Sequence, residues 1–416
     1  MNFSINRENI LKLLFFLFPI LLTSVQSGGS IIYTLILIIV LSSIKELYLG
    51  QDNEDKLYWY GFLTLFLIAI FSLIYTEDIN ESFQRIDKFF RLMTGGLIYL
   101  YLIKKKIVLS HYLIYGSAVS ALILGVFSIY EVYYLKFEYA RGNYYSIGVS
   151  DYGVLYSFLV LGYLLQFKKN DSHQFFLIIS ILSGLYASYL SRGRGGWLAI
   201  PVLIFILLFL TWKYYSKKSK KIIIVGLLIC STTLVYFMPQ NVTNRLELIV
   251  TEINLFSQDP SKFSSVGNRL NLWRNSLIIF SENPFFGVGL GDFDIENNLL
   301  IQKGLSPANL KTGHAHNIFF DALATIGLIG FTTLVCALFI IPFYIAYKNR
   351  PQIYDPNKIF LYTTLIMTLG AYAIFGLTEA WLSRNIFVNG YVIIVAVLLS
   401  SLRISTDIKN DGSIKY

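Results

Sequence analysis

The segment His314-Ala315-His316-Asn317, followed by the apolar residues 318–326 and by Gly327-Leu328-Ile329-Gly330, sets two imidazoles and an amide at the mouth of an apolar helix. Asn317 has the short polar side chain that caps helix N-termini, and Phe319, Phe320, Leu323, Ile326 and Leu328 supply an apolar body. The pattern predicts a membrane helix whose polar end carries His316, a group that takes up and releases protons near neutral pH.

The rest of the chain has the same character. Of its 416 residues, 55% are hydrophobic and only 14% charged, and the apolar residues fall in long runs. Such runs lie at 10–26, 31–44, 58–75, 89–103, 112–135, 152–167, 175–190, 197–212 and 222–237. A less apolar stretch follows at 238–313, then runs at 318–347, 359–378 and 386–402. Since about 20 apolar residues cross a hydrocarbon core, the expectation is an all-α polytopic membrane protein with about twelve transmembrane helices and one long helical periplasmic loop. In this reading residues 1–237 hold the first nine helices, 238–315 the loop, and 316–416 the last three helices with a cytoplasmic tail. The first run has the basic flanks of a signal peptide, Arg7 and Lys12, but no clear small-residue cleavage site, so a retained span is expected. The run at 318–347 is too long for one straight span, and its first turns are expected in or above the interface.

Orientation follows from basic residues in the short loops. Lys104-Lys105-Lys106, Lys168-Lys169, the group Lys213, Lys217, Lys218, Lys220 and Lys221, and the group Lys348, Arg350 and Lys358 fall in alternate loops. These predict a cytoplasmic rim, both termini cytoplasmic, and the 238–313 stretch with His314 and His316 on the periplasmic face of the inner (cytoplasmic) membrane. The net charge of +9 is mostly this rim, a topology signal rather than a nucleic-acid footprint. Cys230 and Cys336 both lie in apolar runs, which offers no disulfide framework and no thiolate metal site.

Several outer segments break the pattern. In Ser191-Arg192-Gly193-Arg194-Gly195-Gly196-Trp197, arginines stand where topology does not need them. Permanently charged, forked guanidiniums suit phosphate oxygens, and flanking glycines let a ligand approach the backbone. An arginine snorkelling to headgroups beside an interfacial tryptophan reads equally well from these residues alone. Residues 241–256 can form an amphipathic helix with Leu246, Ile249, Val250 and Ile253 on one side. Residues 267–280 can form a second, docked through Leu270, Trp273, Leu277 and Phe280, leaving Arg269 and Arg274 for a cavity or water. The glycine-rich segment 285–292 has neither a preceding strand nor a following lysine, so a tight turn packed on the membrane domain is expected rather than a nucleotide loop. His314 and His316 lack an evident third ligand, Asp292, Asp294 and Asp321 having no demanding spacing, so no metal is expected. No serine stands in a nucleophile-elbow context.

His316-Asn317, nine residues, Gly327, two residues and Gly330 resemble the histidine and Gly-x-x-Gly signature of bacterial O-antigen ligases, within a superfamily that also holds O-antigen polymerases and protein O-oligosaccharyltransferases. Arg194-Gly195-Gly196-Trp197-Leu198 is similar to that superfamily's arginine motif, and Arg269 through Trp273 to Gly289 is similar to its loop segment. The resemblance implies a metal-independent, inverting glycosyltransferase that moves a glycan from undecaprenyl pyrophosphate to an acceptor sugar such as lipid A-core. No nucleotide or other cofactor is implied. Carried onto this sequence, it makes His316 the general base and puts Arg194 and Arg269 on the pyrophosphate. Arg192, Arg274, His314, Asn317 and Arg141 become further substrate-binding candidates, Asn317 as a residue that could orient His316. Two alternatives stay open. One is a polymerase with the same donor and a lipid-linked repeat as acceptor; the other is a lipid-linked sugar transporter. Against a transporter, Asp, Glu, Lys and Arg gather at span ends, Glu379 beside Trp381 coming nearest to an exception.

Overall fold

A computed structural model describes residues 6–47, 52–143, 145–167, 170–236, 240–258 and 264–410. Lys168, Lys169, Met238 and the tail beyond residue 410 lie outside the described residues, as do the side chains of Cys230, Leu246 and Ile249. The chain is all-α, with no strand among the described residues. In order the helices are α1 Arg7–Ser24, α2 Gly28–Leu41, α3 Ile44–Leu47, α4 Asn53–Phe71, α5 Ile79–Lys104, α6 Ser110–Ile129, α7 Ser146–Gln166, α8 Asp171–Ser191 and α9 Arg194–Thr211. They continue as α10 Lys217–Tyr236, α11 Gln240–Gln258, α12 Ser265–Glu282, α13 Phe293–Gln302, α14 Ile318–Val335, α15 Ile341–Lys348, α16 Pro356–Thr378 and α17 Asn385–Asn410.

Among the described residues, eight helical segments are long and apolar enough to cross a membrane: Asn53–Ile74, Ser110–Tyr134, Ser146–Gln166, Asp171–Ser191, Arg194–Tyr214, Ile318–Lys348, Pro356–Thr378 and Asn385–Thr406. The sequence runs suggested more. The shortfall has local causes: α1 opens with Arg7, Glu8 and Lys12, α2 is only 14 residues long, and α10 opens with four lysines. The first half of α5 carries Glu81, Arg85, Asp87, Lys88 and Arg91, while its second half is buried from Ile98 to Leu102.

The centre of the bundle is α17, with α7 and α16 beside it; these are its most enclosed spans. Tyr152 on α7 and Tyr372 on α16 donate their hydroxyls to the carbonyls of Ile386 and Phe387, at 2.7 and 3.2 Å, tying three helices together where α17 begins. Trp381 is fully buried in the turn between α16 and α17. Its indole donates to the Tyr372 carbonyl at 3.2 Å, and its ring stacks on Tyr391. A buried indole with its N–H satisfied makes this turn a rigid mount.

The run beginning at residue 318 is not one straight span. The helix breaks at Gly327, whose φ of 64° and ψ of −167° lie outside helical space and favour glycine. The glycine-rich turn fills the break. Val288 and Gly289 donate to the Ala324 and Thr325 carbonyls at 3.1 and 2.9 Å, and Leu328 and Ile329 donate to Pro284 and Phe285 at 2.8 and 3.2 Å. A Cβ on Gly327 would stand 2.4 Å from the Phe285 carbonyl carbon, so close backbone approach requires the glycine as much as its torsion does. Two motifs that are 38 residues apart at Gly289 and Gly327 are thus one backbone junction. Beyond it the chain runs through a π-helical turn, Cys336–Ile340, into α15.

The second outer helix is also rotated from expectation. α12 buries Asn271, Leu272, Asn275, Ser276 and Ile279, whereas Leu277 is 48% exposed. The reason is polar: Asn275 donates to Asn297 and Ser306, both at 2.8 Å, and Asn297 donates to the Leu310 carbonyl at 2.7 Å, a buried network that overrides the apolar stripe. In α11, Val250 and Ile253 are exposed.

Candidate functional site

Asn317 caps α14, its side-chain oxygen accepting from Phe319 and Phe320 at 2.9 and 3.3 Å, while its amide nitrogen donates to the Leu377 carbonyl at 3.3 Å. It is buried, and these backbone contacts occupy it; the contact to His316 comes from elsewhere. Just before the cap, His316 adopts a left-handed backbone with φ 50°. This tight turn folds the His316 N–H back onto His314 Nδ1 at 3.3 Å and brings the two rings to 4.4 Å. Because His314 Nδ1 accepts, its Nε2 is the protonated nitrogen of the neutral ring.

The group opposite is Glu379, the C-cap of α16, 1% exposed. His316 Nδ1 lies 3.5 Å from Glu379 Oε2, and His314 Nε2 lies 4.0 Å from Oε1. A proton on His316 Nδ1 faces the carboxylate, which leaves Nε2 as the basic nitrogen, the orienting arrangement general-base histidines use. Burial alone would raise the Glu379 pKa. The close approach and charge of His316, then the charges of His314 and Arg384, outweigh it and hold the carboxyl below its ordinary range. His314 moves the other way for a base: burial, reinforced by His316 and Arg85, lowers it despite Asp321 and Glu379, which favours the neutral ring.

A buried ion pair braces the turn. Arg85, 8% exposed, binds Asp321 Oδ2 at 3.1 Å and Glu81 at 3.2 Å, and donates to the Gly313 carbonyl. Asp321 Oδ1 accepts from the Ala315 N–H at 3.1 Å. Residues 313–315 are thereby held from both sides.

The arginines divide cleanly. Arg192 is the left-handed C-cap of α8 and is committed to Glu138 at 2.7 Å. Arg274 is exposed, and Arg141 is exposed and lies over the rings of Phe137 and Tyr139. Arg194 begins α9 next to the end of α16: a Cβ on Gly195 would meet Thr378 Oγ1 at 2.7 Å and Asp151 Oδ1 at 2.9 Å. The Gly195-Gly196 pair therefore serves packing against α7 and α16, where sequence reasoning expected room for a ligand. Arg269 is one turn before Trp273 on α12, and Trp273 stacks on Phe320 of α14 at 5.3 Å. Burial depresses the Arg269 pKa, Glu379 opposes this and Arg194 adds to it, so the charges of both Glu379 and Arg194 bear on Arg269. Among the described residues, neither Arg194 nor Arg269 makes an ion pair or side-chain hydrogen bond.

Sequence reasoning missed two groups. Glu379 was noted as an odd charge but could not be tied to His316, 63 residues away. Asp151, fully buried near the start of α7, had no signal at all. Glu379 also supplies the third ligand-type group judged to be lacking, since His314, His316 and Glu379 hold ligand atoms within 4.8 Å of one another.

A bundle of long apolar helices with a histidine–carboxylate pair and unpaired arginines at one end is a multi-pass membrane protein with a site suited to anionic substrates and proton transfer. Residues 177–335 match the model of the family described as O-Antigen ligase. The matched segment, which is similar to that family's domain, holds Arg194, Arg269 and His316. An uncharacterized protein of Haemophilus influenzae is 26% identical over 348 residues, covering 82% of this chain and 85% of its own length.

Proposed function

We propose that this protein is an O-antigen ligase-type glycosyltransferase that moves a glycan from undecaprenyl pyrophosphate to an acceptor sugar such as lipid A-core, on the periplasmic face of the inner membrane. The observation that carries this reading is the approach of Glu379 to His316, with the otherwise unpartnered guanidiniums of Arg194 and Arg269 in the same field. His316 Nε2 takes the proton from the acceptor hydroxyl as its oxygen attacks the anomeric carbon, with inversion, and the bond to the pyrophosphate oxygen breaks. Arg194 and Arg269 stabilise the charge that builds on the leaving group. Glu379 orients His316 and balances the imidazolium as it forms. His314, neutral, supports the turn. The other arginines named from sequence fit less well, because Arg192 is paired with Glu138 and Arg274 faces away into solvent.

The three groups that could ligate a metal are read here as acid–base machinery. The fields of Arg194, Arg269 and Arg384 bear on the same carboxylate or its neighbours and oppose a divalent cation. Transfer that continues unchanged in excess chelator is the expected result.

The defining experiment uses a strain lacking the protein, complemented with wild type or His316→Ala, and resolves surface glycolipid on a gel. Bare core with accumulated lipid-linked long chains in the His316→Ala strain is the ligase outcome. Core carrying a single repeat would reassign the protein as a polymerase, and a normal ladder would remove His316 from the chemistry.

A further inference from the structure

Arg384 follows Trp381–Ser383, at the far end of the same turn that begins with Glu379. Its guanidinium carbon lies 4.4 Å from the centroid of the Tyr145 ring, at the start of α7. Its Nε is buried and has no hydrogen-bond partner, and among the described residues the side chain makes no ion pair. A buried guanidinium donor without an acceptor is costly, and the aromatic face beside it attracts the cation without using its N–H groups. Arg85, Arg91 and Arg192, which also flank this end of the bundle, hold carboxylates, and Arg141 and Arg274 are exposed. Arg384 shares its unused state with Arg194 and Arg269 alone among the arginines at the histidine–glutamate pair, and its charge is felt by Glu379. Trp381, buried in the core, fixes the turn, so Arg384 is presented in one place.

We propose that Arg384, held over the Tyr145 ring, is a third ligand for the diphosphate of the lipid-linked donor. The inference rests on the function proposed above. Its chemistry is phosphate recognition: the empty Nε and the terminal nitrogens form a fork that binds two oxygens, which a lysine cannot reproduce. Three guanidiniums against a diphosphate carrying two to three negative charges balance the leaving group as the glycan departs.

The test uses the full-length protein in lipid nanodiscs, with a fluorescent polyprenyl diphosphate that carries no glycan as probe and inorganic pyrophosphate as competitor. Wild type binds the probe; Arg384→Gln weakens it by about tenfold or more, as losing a charged hydrogen bond does. Arg384→Lys, which keeps the charge and guards against misfolding as the explanation, is expected to be several-fold weaker than wild type at unchanged melting temperature. The same loss with pyrophosphate places the contact on the phosphates. A loss seen with the lipid alone would place it on the polyprenyl chain and overturn the proposal. Wild-type affinity in Arg384→Gln, with binding lost in Arg194→Gln and Arg269→Gln, would overturn it while leaving the function proposed above intact. Failure of the wild type to bind either probe would overturn both.

Discussion

Glu379 gives His316 a direction. Without the carboxylate, either ring nitrogen can carry the proton; with it, the Nδ1–H form is favoured and Nε2 is the base. Replacing Glu379 by Gln keeps the shape and removes the charge. The expected result is a fall in the maximal transfer rate of about 10- to 1000-fold, with little change in donor affinity, read in a reconstituted assay. His316→Ala removes the base itself and should cost about 100- to 10,000-fold. His314 answers to pH rather than to rate. Its folded pKa is depressed, so between the folded and unfolded values the unfolded chain binds more protons and stability rises with pH. Thermal stability should therefore decline as pH falls below about 6.5, the ordinary histidine value, and level off below the folded pKa. His314→Gln should flatten that part of the profile; an unchanged slope would assign the loss to another group. At this scale the sequence showed the types but not the pairings. His316, Asn317 and Arg194 stood in recognisable spacing, whereas Glu379 and Arg384 come from a turn whose place opposite His316 depends on how α16 meets α14.

Among the elements, the Gly327 junction is the most exacting. Gly327→Ala would force a side chain into a left-handed torsion and against the Phe285 carbonyl, costing roughly 1–3 kcal/mol for the torsion alone. A lower melting temperature, with faster proteolysis of the 284–291 turn, is the expected reading. The Arg85–Asp321 pair is the second element-level support. Both partners are largely buried, so Asp321→Ala takes from Arg85 one of its two carboxylates, at a cost of about 1–3 kcal/mol. It also frees the Ala315 N–H, and activity should fall further than the loss of folded protein explains. Gly-x-x-Gly and the turn at 285–292 were both legible as motifs. That they are two halves of one junction was not, because the pairing is between backbones and leaves no trace in side-chain pattern. The docking face of α12 was misread for a related reason: a stripe of Leu270, Trp273, Leu277 and Phe280 has helical period, but the buried network of Asn275, Asn297 and Ser306 fixes the rotation.

For the whole molecule, the groups of the proposed site other than Arg269, which α12 carries, lie at one end of the spans: the starts of α7, α9, α14 and α17 and the end of α16. The opposite end carries the lysine-rich loops and its own ion pairs, Lys348 with Glu54 and Arg403 with Asp52 and Asp55. If the positive end faces the cytoplasm as proposed, Lys303→Cys in a background lacking Cys230 and Cys336 should react with a membrane-impermeant maleimide added outside a permeabilised outer membrane. Lys218→Cys should react only after the inner membrane is opened; the reverse pattern would invert the topology. The all-α class was readable from hydropathy, while the number of spans was not, since α1, α5 and α10 mix charge into apolar runs.

The stacking of Trp273 on Phe320 has a pharmacological corollary. Four of the charged or titratable groups, His316, Glu379, Arg194 and Arg384, belong to the bundle itself, whereas Arg269 is delivered by a helix outside it through that aromatic contact. If the proposed function holds, a small planar compound wedged between the indole and the phenyl ring would lift Arg269 away and block transfer without resembling, or competing with, either sugar.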